Sequence, residues 1–386
     1  MRLIHTSDLQ IGKGYAFFDR DTEAVLREAR QQVIRRLGER AVEHGVTDIL
    51  IAGDVYEHAH VSGVTLRKPI ETMRQFPKIR WWLLPGNHDP HTDGGLWANL
   101  TRSGLPENVR PCLEAAPLQI PLADAVGYLL PAPLRHISSA SDLSEWMDEA
   151  STPEGAVRIG MAHGSITGFD SEGDAKNYID PRRPQTAGLT YLAMGDWHRQ
   201  QKIDERIWYS GTPEPDRFKV GGKASPTRCN GGHALLVEID GPSAPPRVTP
   251  VETGQYAWHL LERTVISDDQ IEPLEAEMRA LEPNLGKAVV SLRIAGTLSL
   301  KGLEEFSSRI VERFGASVAA LRLERDRLIP LPTEDDLDAI DRGGFIRVAA
   351  DRLRAITKDP SDPAAARVAS LALNQLYLEH VQAGES

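Results

Sequence analysis

Within the first 200 residues, short apolar runs stop five times at a cluster of carboxylate, amide or imidazole side chains. Asp8-Leu9-Gln10 follows Leu3-Ile4-His5-Thr6, and Gly53-Asp54 follows Asp48-Ile49-Leu50-Ile51-Ala52. Gly86-Asn87-His88-Asp89 follows the run 79–84, His163-Gly164 follows 157–162, and Gly195-Asp196-Trp197-His198 follows 191–194. Short, mostly apolar runs of this length read as buried strands. In an open α/β sheet, sites are built where strands end at their C-terminal side. The pattern therefore predicts an α/β fold that gathers five polar clusters in one place. A helix is expected over 22–44, with Val25, Ala29, Val33 and Leu37 at helical spacing. Gly45 closes it. Further strands are expected over 207–210 and 234–239.

The clusters supply the ligand types that hold divalent ions: carboxylate, amide oxygen and imidazole. Two such ions roughly 3.5–4 Å apart share a bridging carboxylate and activate a hydroxide for in-line attack on phosphorus. Taken singly, a Gly-Asp after a strand means little, and a lone histidine is more often structural than a ligand. Asn-His-Asp at a strand end has no packing role, and the five clusters together point to a metal-dependent phosphoesterase. Cys112 and Cys229 are the chain's two cysteines, and neither belongs to a CxxC pair, so no zinc knuckle or disulfide framework is expected. The immediate entry into a strand at Arg2 leaves no place for a signal peptide, and no apolar run approaches a membrane span. A reducing, cytoplasmic setting is the expectation, with no membrane partner.

The order DxH, GD, GNH[DE], H, GHxH resembles the calcineurin-like metallophosphoesterases over about the first 240 residues. His5-Thr6-Ser7-Asp8, Ala52-Gly53-Asp54-Val55-Tyr56, Leu84 to Asp89 and Trp208-Tyr209-Ser210-Gly211-Thr212-Pro213-Glu214 narrow the resemblance to SbcD-type DNA repair exonucleases. It implies a four-layer β-sandwich flanked by helices, manganese-dependent DNA cleavage, homodimerisation, and a coiled-coil ATPase partner of the SbcC type. By the same resemblance, Asp8, Asp54 and His198 hold a first metal. Asp54 bridges to a second, shared with Asn87, His163 and Asp196. His88 faces the scissile phosphate, and Asp89 orients it. Two positions depart from the pattern: Gln10 stands where the family has His, and Asp196 replaces the first His of GHxH. Gln10 offers only a neutral amide oxygen, which weakens the first metal position. The carboxylate-rich set favours Mn²⁺, or Mg²⁺, over Zn²⁺.

Composition shifts at Gly241-Pro242-Ser243-Ala244-Pro245-Pro246, and the catalytic domain is expected to span 1–254. The stretch 255–331 reads strand, helix, strand, helix, strand, a small α+β cap, with Leu303, Phe306, Ile310 and Phe314 forming one helix face. Residues 332–386 read as a helical tail. Thr333 to Asp336 is a capping box, and Asp362-Pro363 an N-cap followed by proline. The tail either packs on its own domain or docks a partner. The net charge of −11 argues against nucleic acid, but a carboxylate metal site accounts for part of it. Two loops near the clusters carry cations, Lys176, Arg182 and Arg183 in one, and Arg217, Lys219, Lys223 and Arg228 in the other. They suit phosphate-backbone contact, or are ordinary solvated loops. The competing functions are a small-molecule phosphodiesterase or phosphatase, and a non-catalytic scaffold.

Overall fold

The computed structural model describes residues 1–121, 126–166, 177–218, 227–331, 345–359 and 361–384. Lys176, Lys219, Lys223 and the capping box at 333–336 lie outside them. The chain divides into two compact units, Met1–Arg217 with Cys229–Ala257, and Phe218–Arg228 with Trp258–Ser386.

The first unit holds two six-stranded sheets. One runs Arg247–Glu252, His233–Glu238, Arg2–Thr6, Asp48–Ile51, Arg80–Leu83, Val109–Pro111, and its last four strands are mutually parallel. The other runs Gln201–Lys202, Ile207–Tyr209, Tyr191–Gly195, Val157–His163, Val126–Ala132, Leu118–Pro121, with a parallel centre. Successive strand residues point to opposite faces, and both faces are covered. Leu3, Leu50, Ala52, Trp82 and Leu84 meet Leu129, Ile159, Met161 and Ala193 between the sheets. Ile4, Ile49, Ile51, Trp81 and Leu83 pack instead under helices Arg20–Glu43, Gly63–Arg74 and Leu96–Arg102. The outer face of the second sheet, through Leu130, Leu192, Met194 and Tyr209, is covered by Met147, Ala187 and Leu189. This is a four-layer α/β sandwich. Because each central strand is enclosed on both faces, its run is largely apolar, and the polar cluster gathers at its C-terminal end.

The long helix starts at Arg20, two residues before the predicted position, because the Asp19 side chain accepts the N–H groups of Asp21 and Thr22 at 3.0 Å. Gly45, at φ 63°, supplies the left-handed residue past its end. Val25 is exposed; the buried face is Leu26, Ala29, Arg30, Val33, Ile34, Leu37 and Ala41.

In the second unit the sheet order is Thr227–Arg228, Ala257–Val265, Ala288–Ser299, Ala320–Leu331. Its first strand comes from 218–228, an excursion made before the chain returns to the first unit at Cys229. Helix Ile271–Arg279 and helix Leu300–Phe306, which continues in π-helical turns over Ser307–Phe314, complete the α+β pattern. Phe306, Ile310 and Phe314 are buried with Leu274, Met278, Val290 and Leu292, and Leu303 packs at the margin. Helices Phe345–Thr357 and Pro363–Gly384 group with this unit rather than apart. They pack together through Ala350, Leu353, Leu373 and Leu376. Asp362 caps the last helix by accepting from Ala364 and Ala365 N–H at 3.1 and 2.9 Å. Among the described residues no helix is long and apolar enough to cross a membrane.

Candidate metal centre

The ends of five central strands deliver the clusters to one place. Strands Arg2–Thr6, Asp48–Ile51 and Arg80–Leu83 of one sheet bring Asp8 and Gln10, Asp54, and Asn87 to Asp89. Strands Val157–His163 and Tyr191–Gly195 of the other bring His163, Asp196 and His198. Five non-glycine residues among those described have positive φ, and four of them are Asp8 (54°), Gln10 (44°), Asp54 (53°) and Asp196 (102°). Costly backbone of this kind persists only where the surroundings enforce it, and here it concentrates on the site.

Asp8, Asp54 and His163 are buried and offer ligand atoms that all lie within 4.8 Å of one another. Asp8 Oδ2 accepts Ser7 Oγ–H at 2.5 Å and Asp196 N–H at 3.3 Å. Asp8 Oδ1 is buried with no hydrogen-bond partner among the described residues. A carboxylate oxygen in that position is costly unless a cation or donor meets it. His163 Nδ1 donates to Ala52 O at 2.8 Å, so Nε2 is the atom turned inward. It lies 2.8 Å from Asn87 Oδ1, 3.4 Å from Asp54 Oδ2 and 3.8 Å from Asp196 Oδ1. Burial disfavours charge on His163, but Asp54, Asp8 and Asp196 outweigh it and raise its pKa well above the usual imidazole range. Burial also opposes charge on Asp54; His163 and His88 outweigh it and hold its carboxyl below the usual range. Burial pushes the Asp196 carboxyl up. The pocket thus stabilises positive charge. Its oxygen-rich donors, completed by one imidazole, fit a divalent cation of the Mn²⁺ or Mg²⁺ type. The approach is close enough to require glycine: a Cβ at Gly53 would lie 2.0 Å from His163 Nδ1, and one at Gly86 2.1 Å from Asp54 Oδ1.

The Gln10–His198 side is different. Gln10 Oε1 accepts from Lys13 Nζ at 3.1 Å, and Gln10 Nε2 lies 3.1 Å from His198 Nε2. His198 Nδ1 is 2.8 Å from Asp216 Oδ2, and Arg217 Nη2 lies 2.8 and 3.1 Å from the two ring nitrogens. His198 Nε2 stands 3.7 Å from Asp8 Oδ1.

His88 Nδ1 is 2.9 Å from Glu57 O, an acceptor, so this nitrogen carries the proton and donates. Its ring is 37% exposed, with Nε2 3.9 Å from Asp54 Oδ2. The expected partner, Asp89, is turned elsewhere. Its carboxylate accepts the Gly86 and Tyr56 N–H groups at 2.7 and 3.0 Å, which braces the loop and leaves the ring to Glu57. Beside His88 opens a cleft of about 790 Å³ whose lining includes Glu57, His58, His60, Asn87 and His136.

The cation loops divide. Arg183 is not a surface group: it is buried and paired with Asp142 at 2.7 Å and with Asp148, and its Nε donates to Ser144 Oγ. Arg183→Ala is expected to cost about 2–3 kcal/mol of stability, since charged hydrogen bonds are lost and carboxylates stranded. An unchanged melting temperature would contradict this. Arg182 is exposed beside Asp180, Arg217 is half-exposed beside Asp216, and Arg228 belongs to the second unit, where it faces Glu282.

Sequence reasoning missed Asp216, Lys13 and Arg30. Asp216 lies a few residues past strand Ile207–Tyr209, a sixth polar cluster after a strand, so the rule that found the others reaches it. It is fully buried, which opposes its charge, yet His198, Arg30 and Arg217 hold its carboxyl well below the usual range. His5, quoted in the same N-terminal motif, is buried against Tyr191 with a pKa of about 3 and stays neutral.

A model of the calcineurin-like phosphoesterase family matches residues 1–200. The chain belongs to that family. The chain is 27% identical over 244 residues to an uncharacterized metallophosphoesterase, YhaO, of Bacillus subtilis, covering 58% of this chain and 55% of that one. It is 26% identical over 258 residues to one of the subunits of the nuclease SbcCD of Rhodobacter capsulatus, covering 56% and 62%. The chain thus spans about three fifths of the length of these curated relatives. Among solved structures, a putative 5'-nucleotidase of Staphylococcus aureus aligns with a TM-score of 0.41 and 11% identity, over 65% of this chain and 54% of that one.

Proposed function

We propose that the protein is a metal-dependent phosphodiesterase that cleaves DNA at the ends or within the strand, with Mn²⁺ as the working ion. The observation that carries the hydrolase reading is the unpartnered Asp8 Oδ1, set among Asp54, His163, Asn87 and Asp196. When bound, the metal supplies Lewis acidity at the phosphoryl oxygens and makes water a stronger nucleophile. The chain's own residues do the rest. Asp8 and Asp54 hold fixed negative charge at the base of the site. Glu57 O accepts the Nδ1–H of His88 and leaves Nε2 facing the cleft, where, carrying a second proton as the imidazolium, it donates to the departing oxygen or to the phosphate. His88→Asn is expected to lower turnover about 10²–10⁴-fold. Metal stoichiometry stays as in the wild type. A loss of bound metal in parallel would make His88 a ligand instead.

DNA is supported by the similarity to a protein named as part of a nuclease. The cleft opens beside His88 and leaves room for an extended phosphodiester. From the motif resemblance to SbcD-type nucleases, a coiled-coil ATPase partner is proposed for the helices Phe345–Thr357 and Pro363–Gly384. Removing residues 332–386 would then abolish co-purification with the ATPase while hydrolysis persists; retained co-purification places the contact elsewhere. The deciding assay is digestion of end-labelled linear DNA with Mn²⁺, run beside a chromogenic phosphodiester. Cleavage of DNA supports the nuclease. Cleavage of the chromogenic ester alone points to a small-molecule substrate, and cleavage of neither points to a scaffold. Activity with Zn²⁺ but not Mn²⁺ would overturn the choice of ion.

A further inference from the structure

The two halves of the site do not offer a cation the same reception. On the Asp54–His163 side, the inward atoms are acceptors: Asp54 Oδ2, Asn87 Oδ1, Asp196 Oδ1 and the orphaned Asp8 Oδ1. On the Gln10–His198 side, the acceptors are already met by donors: the Gln10 oxygen, its single ligand atom, by Lys13 at 3.1 Å, and His198 Nε2 by the Gln10 amide NH₂. Exchanging the amide oxygen and nitrogen would set NH₂ against the Lys13 ammonium, donor against donor, so the lysine fixes this orientation. Lys13 reaches back because Gly12, at φ 101°, turns the chain, and Lys13 N–H bonds Gln10 O at 3.1 Å. Its ammonium is anchored on three sides, by Gln10, by Glu57 at 3.3 Å and by Asp216 at 3.4 Å. Arg217, braced on Asp216 at 3.0 Å, brings a second fixed positive charge against the His198 ring.

A divalent ion between Gln10 and His198 would have to displace Lys13, rotate the amide and expel the guanidinium, with two positive charges close by. Nothing of that kind opposes an ion at Asp8, Asp54 and His163. We propose that this phosphoesterase holds one divalent cation tightly, at Asp8, Asp54 and His163 with Asn87 and Asp196 in reach. Lys13 and Arg217 provide, as permanent side-chain charge, the electrostatic share that a second ion provides in a paired centre. The proposal rests on the metal-dependent reading of the site, and its test does not depend on hydrolysis.

The test is the stoichiometry of Mn²⁺ on the full chain, by calorimetric titration and by elemental analysis after desalting, with electron paramagnetic resonance of the loaded protein. The expected wild-type result is one tight equivalent and the spectrum of an isolated Mn²⁺ ion. Gln10→His combined with Lys13→Met restores an imidazole and removes the ammonium; it is expected to take up two equivalents and show exchange coupling. Two tight equivalents with exchange coupling in the wild type overturn the proposal, as does the absence of any tight equivalent. Should the double variant not fold, the wild-type count and spectrum decide by themselves. Two tight equivalents with hydrolysis intact would remove this proposal and leave the phosphoesterase reading standing. One equivalent with neither DNA nor the chromogenic ester cleaved would do the reverse.

Discussion

Asp54→Asn is expected to abolish measurable phosphodiester cleavage, with kcat/KM falling at least about 10³-fold, or about 4 kcal/mol of transition-state stabilisation. The substitution is nearly isosteric. Asp54 Oδ1 accepts the His88 N–H at 2.9 Å, and an amide oxygen in that place keeps the bond. What disappears is the negative charge that faces His163 Nε2 at 3.4 Å and dominates the cluster. The folded protein should therefore melt close to wild type while its tight Mn²⁺ binding is lost. Full activity in Asp54→Asn would remove Asp54 from the metal centre. Lost activity with metal binding unchanged would move its role from holding the ion to positioning the His88 loop.

The second large effect is on stability. Arg30, 1% exposed, is a cation inside the first unit. Its Nη1 donates to Leu9 O at 2.7 Å, Nη2 to Glu214 O at 2.8 Å, and Nε to Tyr15 Oη at 2.8 Å. It thus ties the Asp8–Gln10 turn to the segment that carries Asp216, and its charge offsets the buried Asp216 and Glu214 carboxylates. Arg30→Met keeps the aliphatic stem but strands both carbonyls and removes a nearby positive charge from the buried Asp216 and Glu214 carboxylates. A destabilisation of about 3–5 kcal/mol is expected, from the loss of three buried charged hydrogen bonds. Arg30→Lys should recover only part of it, because an ammonium cannot reach three acceptors in fork geometry. Urea unfolding measures both. A loss below about 1 kcal/mol in Arg30→Met would show that the carbonyls find water instead.

The central strands were legible because enclosure on both faces makes them largely apolar, and the site was legible because each cluster marks a strand end. Where the reading slipped, the cause was a partner distant in sequence. Val25 fits helical spacing, but the tertiary face begins one position later, at Leu26. Arg183 looks like a loop cation until Asp142 and Asp148 close around it. The strand Thr227–Arg228 is too short to carry a period at all. Gln10 could be recognised as an irregular ligand. That Lys13, three residues on, turns back to claim its oxygen depends on Gly12, Glu57 and Asp216 together.

The excursion at 218–228 bears on how such a molecule could be taken apart or rebuilt. The polypeptide crosses between its two units three times, so no single break in the gene separates them. A chain ending at Ala257 would keep Phe218–Arg228 but lose its partner strand Ala257–Val265 and the Trp258 ring that packs on Phe218. Exchange of the second unit by recombination would need three joints made together, after Arg217, after Arg228 and after Ala257. Inheritance of the two units as a pair follows from the connectivity alone, whatever selection acts on the chemistry.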